Sequence, residues 1–81
     1  MEKIEQAFDN ILPTWKQVHK RESEALYSKG ELRIKLIYYK GESQSSVSRM
    51  GQTFFKVRKN SHEEALLSVK EYLDKAFPGM S

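Results

Sequence analysis

The chain has 81 residues, of which 31% are charged and 38% apolar, with a formal net charge of +3 and no cysteine. That composition fits one small soluble domain and is too apolar for a disordered chain, and the length leaves little room for a deep catalytic cleft. Without cysteine there are no disulfides or thiolate metal sites, and no apolar run approaches membrane-spanning length. The opening MEKIEQAFDN lacks a signal-peptide pattern, so the expected location is intracellular, in the cytoplasm.

The first predicted element is helical. Ile4, Ala7, Phe8 and Ile11 recur at the spacing of one face of an amphipathic helix. Pro13 lacks an N–H and collides with the preceding turn, so the helix kinks or splits there. Trp15, Val18, Ala25 and Leu26 continue an apolar stripe to about Tyr27, and Lys29-Gly30 supplies a stop signal. Residues 1–28 therefore read as a helical segment. Trp15 is expected to anchor it on the sheet or on the last helix.

Strands follow over residues 31–59. In ELRIKLIYY, Leu32, Ile34, Leu36 and Tyr38 share one face, while Arg33, Lys35, Ile37 and Tyr39 share the other. Lys40-Gly41-Glu42 reads as a hairpin turn. Ser45–Met50, carrying Arg49, reads as a short middle strand or a mobile loop, with Gly51 at a second turn or bulge. In QTFFKVRK, Thr53, Phe55 and Val57 oppose Phe54, Lys56 and Arg58, one phenylalanine ring to each face. The last element is a helix over 61–77. Ser61 and Glu64 form a capping box, Ala65, Val69, Tyr72, Leu73, Ala76 and Phe77 make its apolar face, and Pro78-Gly79 ends it. The expected fold is α+β: one domain over 1–81, with an N-terminal helix, two to three antiparallel strands and a C-terminal helix packed on the sheet.

The charge is unevenly distributed. Residues 1–24 carry a net −1, residues 25–60 a net +6 and residues 61–81 a net −2. A focused basic patch attracts polyanions better than the same charge scattered, although lysines also keep an exposed sheet soluble and discourage edge pairing. The mixture of cations and aromatics on one strand face suits nucleic acid, because cations displace counterions and rings stack on bases. The candidate contacts are Arg33, Lys35, Tyr39, Arg49, Phe54, Lys56 and Arg58.

Catalytic patterns are missing. His19 and His62 fall on different predicted helices, both as surface positions, and neither belongs to a metal-binding pair. The serines form no nucleophile elbow and the glycines no phosphate-cradling loop. Glu63 and Glu64 suit the positive end of a helix dipole. The expectation is a non-enzyme without metal or cofactor.

The strand–turn–strand–helix unit over residues 31–77, with GQTFFKVRKNSHEEALLSVKEYLDKAF at its end, resembles the Apetala-type DNA-binding domain and the related arm-binding domains of phage integrases. In that family a helix packs behind a three-stranded sheet whose other face enters the DNA major groove. The resemblance implies Arg33 and Lys35 on the first strand, and Lys56 and Arg58 on the last, as DNA contacts. It also implies Ala65 as the small residue where helix meets sheet. The strands here lack the family's tryptophan and its opening Arg-Gly-rich segment. The helix–strands–helix order also resembles the double-stranded RNA-binding domain, but the acids at 63 and 64 stand where that family has lysines.

Two functions follow as expectations. The first is a small nucleic-acid-binding protein docking a basic sheet face on duplex DNA. The alternative is a protein-interaction module, of the phage or mobile-element accessory type, that binds a larger protein or self-associates.

Overall fold

Helix α1 spans Lys3–Ile11 in the computed structural model, which describes residues 3–39 and 41–81 but not the side chains of Lys3 and Tyr39. Five strands follow: β1 (Lys16–Arg21), β2 (Glu24–Lys29), β3 (Leu32–Tyr39), β4 (Glu42–Arg49) and β5 (Gln52–Lys59). Helix α2 (His62–Ala76) closes the order. The fold is α+β, as expected, with more strands than the sequence patterns indicate.

Residues 16–29 are the main correction. They form a β-hairpin, and the helix ends before Pro13 rather than kinking through it. Ala25 and Tyr27 are buried while Leu26 and Ser28 are half-buried, an alternation of period two along β2. The pairing partners decide the conformation, because Ala25 lies opposite Leu36 and Tyr27 opposite Ile34 on the strongly apolar β3. Lys29-Gly30 is thus no helix stop. Gly30 lies at φ +60° in the two-residue turn between Lys29 and Leu32.

The sheet is an antiparallel meander in the order β1-β2-β3-β4-β5. The expected turn at Gly41 joins β3 to β4, although Lys40 lies outside the described residues. Met50 and Gly51, at φ +54° and +81°, join β4 to β5 in the left-handed geometry that matches strand twist. The serine-rich stretch is neither loop nor short strand. It is a full strand between β3 and β5, which satisfy its backbone on both sides.

Both helices lie on one face of the sheet. Phe8 of α1 stacks on Tyr27 of β2 with ring centroids 3.5 Å apart. Leu66, Val69 and Leu73 of α2 join Leu32, Ile34, Leu36 and Val47 in the core. Ser43 and Ser45 of β4 are buried on the same side, where their small side chains allow α2 close approach. Ser61 caps α2 by accepting the Glu64 N–H at 3.2 Å, as the capping-box pattern requires. Trp15 is buried and its Nε1 donates to the Met80 carbonyl at 2.8 Å, tying the chain after α1 to the segment after α2. No helix among the described residues is long and apolar enough to cross a membrane.

The buried Tyr27 gives the fold an alkaline sensitivity. Burial raises its phenol above the ordinary value of 10.0, partly offset by the hydrogen bond from Gln17 Nε2 at 3.1 Å. The folded phenol ionises less readily than the unfolded one. Its contribution to stability is therefore complete below the unfolded value and is lost as pH rises through the folded value. Urea midpoints should fall as pH rises past the ordinary phenol value of 10.0, and Tyr27→Phe should fall less steeply over the same range. An identical slope in the two proteins would remove Tyr27 from the account.

Candidate nucleic-acid interface

The sheet face opposite the helices is built by strand parity and can be read row by row from the register. One row runs Lys16, Ser28, Arg33, Ser48 and Thr53 across the strands from β1 to β5. The next runs His19, Leu26, Lys35, Ser46 and Lys56, and the third Arg21, Glu24, Ile37, Gln44 and Arg58. Neighbouring strands lie about 4.8 Å apart and alternate residues about 7 Å apart along a strand. Arg33, the Lys35/Lys56 pair and Arg58 therefore form an oblique cationic band about 17 Å long in backbone terms.

Down the middle of that band runs β4 with Ser48, Ser46 and Gln44, all half-buried. Hydroxyl and amide donors thus stand between two columns of cations. An anionic backbone laid along β4 meets ammonium or guanidinium groups on both sides and hydrogen-bond donors beneath. Arg33, Lys35, Lys56 and Arg58 are exposed, and none of the ion pairs recorded among the described residues involves them. Arg33 Nη1 reaches the carbonyls of Gly30 and Leu32 at 3.4 and 3.3 Å, which leans its guanidinium toward the β2–β3 turn.

The acids on this face sit toward one end. Glu24 lies in the third row, with an oxygen 3.7 Å from His19 Nε2, and Glu42 lies opposite Tyr39 beyond it. Ile37, Glu42, Gln44 and Arg58 line a small depression there. The described cations in the three rows (Lys16, Arg21, Arg33, Lys35, Lys56 and Arg58) outnumber these two carboxylates. The open face is electropositive.

Two expected contacts lie elsewhere. The β4–β5 register slips between Val47 and Ser48, because Phe55 pairs with Val47 while Thr53 pairs with Ser48. Phe54 is the extra residue of a β-bulge, which breaks the alternation and turns its ring to the helix side. It lies 6.0 Å from the ring of Phe77, and Phe55 stacks on Tyr72 at 4.5 Å. Both rings of the pair are on the helix side, not one on each face. Arg49 shares that side, since it pairs with the buried Leu32 and holds its guanidinium 5.7 Å from the Phe54 ring and 6.0 Å from Phe77. Tyr39 has its backbone in β3, opposite Glu42, but its side chain lies outside the description. Among the described side chains, the rings of Phe54 and Phe55 both lie off the open face.

His19 departs from the expected helix surface, whereas His62 opens α2 as expected but is half-buried there. His19 is on β1, half-buried, and His62 packs edge-on against Tyr38 at 4.9 Å at the start of α2. His62 Nδ1 and Ser43 Oγ share a hydrogen bond. Ser43 is 1% exposed, so this serine–histidine pair joins β4 to α2 and presents no nucleophile to solvent. Among the described residues no group of three His, Asp or Glu side chains gathers closely enough to hold a metal ion.

Sequence reasoning also missed Lys16 and Arg21, since both were read as helical. The period-two alternation of β2 was the available signal, because it implies a paired strand before it. Compared with family models, curated proteins and solved structures, the chain matches none.

Proposed function

We propose that this protein binds nucleic acid through the open face of its sheet, and that its ligand is the phosphate backbone of duplex DNA. The observation that supports this most is the oblique band of Arg33, Lys35, Lys56 and Arg58 on a face that both helices leave uncovered. Four exposed cations with no ion pair recorded among the described residues repel one another, and a polyanion relieves that repulsion. The donors of β4 between them add neutral hydrogen bonds to phosphate oxygens. The likeness of residues 31–77 to the Apetala-type domain supports the same reading, with β3–β5 as its sheet and α2 as its backing helix.

Fluorescence anisotropy of a labelled random duplex, titrated at two salt concentrations, tests this. Four phosphate contacts predict a slope of about −3.6 in log affinity against log salt, or about a 150-fold loss between 50 and 200 mM. A single strand of equal length should bind no more tightly. Absence of binding at low salt, or affinity that ignores salt, would overturn the proposal.

A further inference from the structure

A second surface lies along β5, one of the two edge strands of the sheet. Strand β5 pairs only with β4, so its outer backbone groups have no partner strand among the described residues. The bulge at Phe54 twists the beginning of the edge, leaving Phe55–Lys59 as its regular part. Beside that stretch an open groove of about 300 Å³ runs along the junction of β5 and α2, over the stacked rings of Phe55 and Tyr72. Phe55 and Val57 form one wall, and Ser68, Glu71, Tyr72 and Lys75 the other.

An added strand inherits the parity of the strand it joins. Side chains facing the helix side would drop into the groove against Phe55, Val57 and Tyr72. Those facing the other way would lie beside Lys56 and Arg58. The edge therefore selects an alternating sequence, apolar on one face and acidic on the other. A second copy of this chain is a poor occupant, because β5 against β5 brings the lysines and arginines of Lys56, Arg58 and Lys59 together. The stretch Phe55–Lys59 contains no proline, and among the described residues no strand pairs with its outer side.

We propose that β5 and α2 together form a docking site for an extended acidic segment of a partner protein, which adds to the sheet as a sixth strand. Backbone hydrogen bonds along the edge give the affinity, and the groove and the cations choose the sequence. This site is separate from the DNA face in its groove half and shares only the outer flank of Lys56 and Arg58 with it.

The test uses two short labelled peptides, one alternating valine with glutamate and one alternating valine with lysine. Amide chemical shifts of the whole protein are followed as each is added. The acidic peptide should move amides within 55–59 and 68–75, and bind at least about tenfold more tightly than the lysine peptide. Ser68→Tyr, which fills the groove from the exposed side of α2, should abolish that response and leave duplex binding within about twofold. Shifts confined to the open face around Arg33 and Lys35, or equal binding of both peptides, would overturn the proposal. So would concentration-dependent broadening of the β5 amides without peptide, since it would show the edge pairing with itself.

Discussion

Replacing Phe8 with alanine should lower the unfolding free energy by about 3–5 kcal/mol, the range for deleting a large aromatic from a packed core. Phe8 is 1% exposed and stacks on Tyr27 with the rings 6° from parallel, which adds an aromatic contribution to the buried area. Its neighbours cannot close the gap easily. Ala7 is fixed on the same short helix, Leu12 follows it with its N–H bonded to the Phe8 carbonyl, and Tyr27 is held by Gln17 and by its strand. A small domain has about 5–15 kcal/mol of stability in total, so the variant should sit near the edge of folding. With a urea dependence of about 1 kcal/mol per molar, its midpoint should fall by about 3 M or more. Leu67→Ala is the control, because Leu67 on α2 is 54% exposed and should cost under about 0.5 kcal/mol. A midpoint shift for Phe8→Ala no larger than that for Leu67→Ala would mean that α1 does not dock on β2 as described.

Local periodicity made some of this fold legible in the sequence, and long-range pairing hid the rest. Helix α2 carries both a 3.6-residue stripe and a capping pair, and β3 alternates cleanly, so each announces itself without reference to a neighbour. Strand β1 reads KQVHKR, with no buried residue, and β2 offers Ala25 and Leu26 at a spacing that also suits a helix stripe with Trp15 and Val18. The turn between them, Glu22-Ser23, contains no glycine or proline to mark it. Only the apolar face of β3 makes that segment a hairpin. The placement of Arg33, Lys35, Lys56 and Arg58 followed from parity because β3 and the second half of β5 are regular. Arg49 was also within reach of parity, since Val47 is buried and Arg49 stands two residues on. Phe54 was not, because a bulge is a property of the β4–β5 pair and leaves no mark on β5 read alone.

Removing the two lysines at the centre of the band, in the double variant Lys35→Ala/Lys56→Ala, should weaken duplex binding about 30- to 100-fold at 0.1 M salt, close to one counterion's worth for each. Both flank Ser46 in one row, where two ammonium groups about 10 Å apart in backbone terms can straddle one strand of a phosphate backbone. The loss should be the same for every DNA sequence, and the salt slope should become shallower by about 2. Stability should hold to within about 0.5 kcal/mol per site, because both side chains are exposed and each relieves some like-charge repulsion. Arg49→Ala/Phe54→Ala provides the contrast. It removes a cation and a ring that lie with the helices, so duplex affinity should change less than about twofold while the urea midpoint falls with the loss of the Phe54–Phe77 contact. The two double variants thus separate charge on the open face from charge in the chain as a whole. Equal losses in both would place the DNA contacts on the edge between the faces. Unchanged binding in the lysine variant would leave the basic band as a solvated surface that keeps a five-stranded sheet from pairing face to face.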